Sequence, residues 1–308
     1  MTDTYPRIVL ADRLYAAATV LLLREVGGEL EVLMMRRGSG LAFMAGMWVF
    51  PGGRLDSADA SPEALARLGP ATAAGTVLHA MDGTPLDAGE VAALQVAACR
   101  ETFEEAGVLL ARDAGGHPCA PECVAGLRPR RAQVTQDPSS FIGMLEAERL
   151  YLDTSSLVYW SHWITPSVEP KRFDTRFFAV AVPVGQDASP DLSELTHHAW
   201  VQPARVDDAV ARGEIRLVPP TLLTLEDLAE SHARHGGLEA MLVAERGRPT
   251  PPVMPRIQVT ADEFQVVMPW DTGYASTPGE GCTPAGGFPA HLTRRRSRVI
   301  VSRNREAR

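Results

Sequence analysis

Between Glu90 and Gly107 the residues Val91, Leu94, Ala97, Ala98, Thr102 and Phe103 recur at helical spacing, and Gly107 follows as a stop signal. On such a helix Glu101, Glu104 and Glu105 stand at i, i+3 and i+4, so their carboxylates project from one side. Three like charges placed this way repel one another and destabilise an isolated helix unless a cation neutralises them. Hard oxygen donors of this kind suit Mg²⁺ or Mn²⁺. Arg100 precedes the cluster and reaches Glu104 one turn on, where its planar, permanently charged fork holds a carboxylate in place. Most short charge runs are solvated helix faces, so the flanking residues decide the reading.

Those flanks are strand-like. Ala16 to Leu23 and Leu30 to Met35 are apolar runs separated by Glu25-Val26-Gly27-Gly28-Glu29, which predicts a β-hairpin. Met47 to Phe50 reads as a third short strand that ends at Pro51-Gly52-Gly53, where a turn is expected. From Ser57 to about Asp87 the composition shifts to Ala, Gly and Pro, with a short helix at Pro62 to Leu68. This stretch reads as an insertion. Beyond Gly107, strands are expected at Leu157 to Ile164, Phe177 to Val184 and His198 to Val201, and helices at Val206 to Ala211 and Pro220 to His232. Strand, glycine turn, acidic helix and glycine stop therefore occur in order. With 308 residues the chain can bury one large core or two modest ones. Residues 236–308, with strand-like runs at Arg256 to Thr260, Glu263 to Met268 and Arg298 to Val301, read as an extension packed on the domain formed by 1–235.

At this point the sequence resembles the Nudix hydrolases, whose box reads G-x5-E-x7-R-E-U-x-E-E-x-G-U with U apolar. Arg100-Glu101-Thr102-Phe103-Glu104-Glu105-Ala106-Gly107-Val108 matches the second half, with Thr102 at an apolar position, and Gly53 matches the opening glycine. The first half is interrupted by the insertion at about 57–88. Counted back from Arg100, the expected glutamate is Ala92, and Glu90 is the nearest substitute. An insert at this place is similar to that of the motif 19 acyl-coenzyme A diphosphatase subgroup. Phe43-Met44, Val49 to Gly53, Phe103 to Leu110, Trp160 to Pro166 and Arg172 to Phe178 resemble other segments of that subgroup, and the likeness runs from about Ala17 to His232 with an echo at Ile257 to Pro269. The resemblance implies an α+β fold, the Nudix α/β/α sandwich with a mixed β-sheet, carrying the insertion inside the box and a β-containing C-terminal extension. It also implies that Glu101, Glu104 and Glu105 hold Mg²⁺ or Mn²⁺ and help activate water while Arg100 orients them. The implied reaction cuts the diphosphate linkage of coenzyme A or acyl-coenzyme A, giving 3′,5′-ADP and 4′-phosphopantetheine. Another nucleoside diphosphate derivative, such as NADH or ADP-ribose, is the alternative substrate. A catalytically silent nucleotide sensor is a further alternative, disfavoured because such modules lose box glutamates.

An anionic substrate needs cations beside it. Arg37, Arg172, Lys171 and Arg176 lie in segments flanking the expected pocket, with Arg37 and Arg172 preferred and Gly52 and Gly53 offering close backbone approach. Glu194, before the strand at Trp200, is a candidate proton acceptor. Trp160 and Trp163 either line the pocket or, as aromatics more often do, belong to the core. His117, Cys119 and Cys123 lack a fourth zinc ligand and read as a plain loop, and the four cysteines form no paired framework. The net charge of −8 argues against a nucleic-acid binder. Ala16 to Leu23 is too short to span a bilayer and follows no cleavable leader, so a cytoplasmic protein without membrane contact is expected. A homodimer is left open.

Overall fold

Gly27 and Gly28 both adopt positive φ (60° and 82°), the backbone that a tight two-residue hairpin turn requires. They join β1 (Leu14–Val26) to β2 (Glu29–Arg37) as the sequence predicts. The computed structural model describes residues 14–38, 46–69, 77–189, 195–259, 263–284, 286–295 and 298–302. The two strands pair only near their turn, over Leu23–Val26 and Glu29–Val32. Beyond that they splay, and the segment after Met47 fills the gap: β3 (Trp48–Val49) pairs with β2, and β4 (Gly52–Arg54) pairs with β1. Pro51-Gly52-Gly53 is therefore a change of partner, with only a bend at Pro51, and not the expected turn. The Pro51 carbonyl accepts from Val20 N–H at 2.8 Å, and Gly52 and Gly53 continue as strand opposite Thr19 and Ala18.

A short ladder of β5 (Ala111–Arg112) and β6 (Tyr151–Leu152) stands apart from this sheet. On the other edge of β1 the main sheet continues through β8 (Arg172–Ala181), which runs parallel to it, and β7 (Val158–Ile164), while β9 (Leu195–Val201) closes the outer edge of β2. β1 is buried on both faces, which is why it reads as a continuous apolar run rather than an alternating one. Ala18, Val20 and Leu22 enter one core with α1 (Pro62–Leu65), α2 (Ala88–Glu101), α3 (Pro121–Leu127), α4 (Arg131–Gln136) and α5 (Ser139–Ala147). Leu21 and Leu23 enter the other, under α7 (Pro219–His235) and α8 (Leu238–Ala244), which follow the short α6 (Val206–Ala211). The result is a mixed sheet between helical layers, an α+β fold. Trp160 and Trp163 lie in the second core, with Arg248 stacked on Trp160, so core packing accounts for both rings.

The C-terminal segment adds β10 (Pro252–Val253), parallel to β7 at the edge of the main sheet, and a separate antiparallel sheet of β11 (Arg256–Val259), β12 (Glu263–Val267) and β13 (Arg298–Ser302). Val253, Val266, Met268 and, from α9 (Ala290–Thr293), Leu292 share the second core. Among the described residues no helix is long and apolar enough to cross a membrane.

Candidate active site

The helix that carries the acidic cluster begins earlier than its apolar periodicity suggests. Asp87 is its N-cap, accepting from Glu90 N–H at 2.9 Å, while the Glu90 carboxylate accepts from Asp87 N–H at 2.8 Å, a reciprocal capping box. Glu90 is thereby occupied at the helix start and does not stand in for the missing box carboxylate. The helix ends in a π turn at Thr102–Ala106 and then Gly107 at φ 65°, whose N–H reaches Phe103 C=O at 3.0 Å. Thr102 is fully buried because its hydroxyl donates to Ala98 C=O at 2.7 Å, which makes a polar residue acceptable at an apolar position. The exposed carbonyls of this helix end are taken by arginines. Arg131 Nε donates to Glu104 C=O at 2.8 Å, and Arg128 Nε donates to Gly107 C=O at 3.2 Å, cations at the negative end of the helix dipole.

Arg100 is the hub. Its Nε and Nη2 donate to the two oxygens of Asp59 at 2.7 and 2.8 Å, its Nη1 donates to Glu101 Oε1 at 2.9 Å and Glu104 Oε1 at 2.6 Å, and Nη2 also reaches Arg54 C=O at 3.1 Å. Asp59, buried in the short 3₁₀ turn Ser57–Ala60, was not singled out from the sequence. Glu105 is not bonded to Arg100 and instead accepts from Gly52 N–H at 2.8 Å. At Gly53 any Cβ would lie 2.4–2.6 Å from the Glu101 carboxylate, so the glycine exists for close approach of strand to helix. Glu101 and Glu105 thus both lie against one strip of backbone, Gly52-Gly53, while Glu104 is held by Arg100.

Their charge is not fully compensated. Burial, with repulsion from Glu104 against the pull of Arg100, pushes the Glu101 carboxyl up to about 7. Burial and repulsion from Glu101 push Glu105 up to about 8, with Gly52 N–H and Arg37 opposing. Among the described residues no three acidic, His or Cys groups are gathered into a ready-made cation cage. The donor chemistry nevertheless fits a hard divalent ion, because an all-oxygen set with surplus negative charge and raised pKa values is what such an ion relieves.

Of the other candidates, Arg37 ends β2 close enough to Glu105 to act on its charge. Arg172 starts β8 and is engaged elsewhere, with Thr165 C=O at 3.1 Å, Met254 Sδ at 3.3 Å and Glu280 at 3.2 Å. Arg176 is fully buried against Asp174 at 2.8 Å and His79 C=O at 2.6 Å. Glu194 and Phe43-Met44 lie outside the described residues. His117 turns to Asp113 at 3.3 Å and is 80% exposed, away from any joint site with Cys119 and Cys123.

Residues 8–228 match the family model described as the NUDT19 Nudix domain, well over half of the chain. The chain belongs to the NUDT19 Nudix family. It is 31% identical to the acyl-coenzyme A diphosphatase NUDT19 of Homo sapiens, over 79% of this chain and 72% of the relative, and 30% identical to that of Gallus gallus, over 81% and 74%. A NUDIX hydrolase from Alicyclobacillus acidocaldarius superposes with a TM-score of 0.61 at 27% identity, covering 77% of this chain and 98% of that one. The chain is accordingly a Nudix hydrolase.

Membership clarifies Asp59. Counted forward from Gly53, the acidic position of the Nudix box falls on Asp59, so the insertion of this NUDT19-type chain interrupts the spacer after the acid and not the segment before it. Counting back from Arg100 crosses the insertion and lands on Ala92. Counting from the glycine was the available signal, and the bidentate Asp59–Arg100 pair is its structural counterpart.

Proposed function

We propose that this Nudix hydrolase cleaves the diphosphate linkage of coenzyme A or its acyl thioesters, yielding 3′,5′-ADP and (acyl) 4′-phosphopantetheine, with Mg²⁺ or Mn²⁺ held by Glu101, Glu104 and Glu105. The observation that supports the chemistry is the surplus of buried carboxylate charge against Gly52-Gly53, where a cation-bridged diphosphate is electrostatically welcome. The names of the relatives at about 30% identity support the choice of substrate.

A divalent ion held by Glu101, Glu104 and Glu105 would supply charge neutralisation for the diphosphate and acidify an attacking water. The chain's own residues supply geometry. Arg100, pinned by Asp59, holds Glu101 and Glu104 in one orientation, and the Gly52 amide holds Glu105. Because both anchors are buried or backbone, the carboxylates need little reorganisation when substrate arrives. Gly52 and Gly53 present bare backbone to the phosphates, and Arg37 adds a positive charge beside Glu105.

The test is a panel of coenzyme A, acetyl-coenzyme A, NADH and ADP-ribose, each with Mg²⁺ or Mn²⁺. Coenzyme A compounds are expected to exceed the others in kcat/KM by about tenfold or more, a difference of about 1.4 kcal/mol in transition-state binding. Preferential turnover of NADH or ADP-ribose overturns the substrate assignment, and ligand-induced thermal stabilisation without turnover overturns the catalytic one.

A further inference from the structure

One residue after Gly53 a row of cationic and aromatic side chains crosses three strands. The Arg54 guanidinium lies over the Tyr15 ring at 4.6 Å, Tyr15 and Phe173 face each other at 6.1 Å between ring centroids with a 42° tilt, and Lys171 Nζ lies over the Phe173 ring at 5.3 Å. The pairing of the strands places them there: Arg54 stands opposite Ala17 on β1, and Tyr15 stands opposite Phe173 on β8. Arg54, Lys171 and Tyr15 are exposed and Phe173 is half-buried. The row is tied to the reacting end of the site, since the Arg54 carbonyl accepts from Arg100 Nη2. In a chain of net charge −8, two cations flanking one exposed and one half-buried aromatic ring make a local patch of opposite sign. None of these four side chains takes part in the carboxylate cluster or in either apolar core.

We infer that Arg54, Tyr15, Phe173 and Lys171 form the platform for the adenine nucleotide half of the substrate, the base packing against the two rings and its phosphates meeting the two cations. Aromatic rings with interleaved Arg and Lys recognise a purine nucleotide because every base has a π-face and every nucleotide a negative charge. Reach agrees with this. Tyr15 lies three residues along β1 from Ala18, the partner of Gly53, so about 10 Å of strand separates the platform from the carboxylates, the scale of a nucleotide. Gly53 faces the carboxylates and Arg54, next along β4, faces the row, so the substrate is expected to bend around the edge of β4. Lys171, not its neighbour Arg172, is then the cation of that segment that meets substrate.

The inference rests on the proposed coenzyme A reading, and product inhibition separates the two. With Mg²⁺-loaded enzyme turning over coenzyme A, the inhibition constants of adenosine 3′,5′-bisphosphate and 4′-phosphopantetheine are measured for wild type, Tyr15→Leu, Lys171→Ala and Arg54→Ala. The bisphosphate constant and the KM for coenzyme A are expected to rise roughly tenfold in Tyr15→Leu and several-fold in the two cation variants, with kcat within about twofold and the phosphopantetheine constant unmoved. An unchanged bisphosphate constant in all three variants, or a rise confined to phosphopantetheine, overturns the platform. The two exposed cation variants guard against a folding defect in Tyr15→Leu. If wild type fails to cleave coenzyme A, the function proposed above fails. Calorimetric titration of adenosine 3′,5′-bisphosphate into the Mg²⁺-loaded chain and its Lys171→Ala variant still decides the platform: weaker binding in the variant supports it, and equal or no binding overturns it.

Discussion

The Arg100 and Arg176 clusters occupy the same face of the sheet, joined by a row of opposed residues that runs Gly53, Ala18, Arg176, His162 across four strands. Around Arg176 the charges balance. Asp174 accepts from Arg176 Nη1 at 2.8 Å and from His162 Nε2 at 2.5 Å, and the imidazole is kept neutral by burial and by Arg176, its pKa driven down to about 4. Around Arg100 they do not balance: Asp59, Glu101 and Glu104 share one guanidinium, and Glu105 adds a fourth carboxylate. A buried pair whose charges cancel is structure, whereas one that carries surplus charge is suited to a counter-ion. The insertion borders both: Asp59, just before it, anchors Arg100, and the His79 carbonyl within it caps Arg176.

The contrast predicts opposite outcomes for similar substitutions. Glu105→Gln keeps an oxygen for the Gly52 amide but removes a carboxylate of the proposed cation site, so kcat is expected to fall by about a thousandfold with the fold retained. Near-normal turnover in a steady-state assay would remove Glu105 from the site. Asp174→Asn leaves Arg176 buried without its counter-charge and is expected to cost about 3 kcal/mol in denaturant unfolding, while kcat per folded molecule stays within about twofold. A large kcat loss in folded Asp174→Asn would mean that the two clusters are one functional unit. Between these lies Gly53→Ala, whose methyl must displace the Glu101 carboxylate. A loss of activity of about tenfold is expected, with a raised metal requirement in Mg²⁺ titrations.

How much of this contrast was legible depends on the range of the interactions. The hairpin, the acidic helix and its Gly107 stop depend on neighbours within a few residues, and periodicity shows them. The π turn at Thr102–Ala106 is invisible to periodicity, since five residues do not distinguish one helical pitch from another. Pro51-Gly52-Gly53 reads as a turn because glycine usually buys conformational freedom, yet Gly53 is needed for the space beneath Glu101. The arginines capping the helix end, Arg128 and Arg131, come from helical segments in a stretch, residues 121–147, to which the sequence reading assigns no element. Arg172 and Arg176 look alike as basic residues of one segment. Only the alternation of the strand and the arrival of Glu280 and Asp174 show that both are already engaged.

The smallest expected effect is the response to pH, where the two clusters pull in opposite directions. His162 titrates near 4 in the folded chain and near 6.5 when unfolded, so the unfolded state binds the extra proton between those values. Its contribution is complete above about 6.5 and is lost as pH falls through 4. Glu101 and Glu105 have folded values of about 7 and about 8 against roughly 4.3 unfolded, so here the folded state holds the extra protons, and their contribution, full below about 4.3, declines from there and is lost as pH rises through 7 and 8. Between pH 6.5 and 8 the carboxylates act alone. The metal-free chain should therefore lose on the order of a few degrees of Tm across that interval, and Mg²⁺ or Mn²⁺ added at pH 8 should restore it. Glu105→Gln should flatten the alkaline decline and, because Glu105 opposes His162 between about 4.3 and 6.5, steepen the net acid-side loss below 6.5. A scan in which the variant and wild type decline in parallel above 6.5 would show that the surplus charge lies elsewhere.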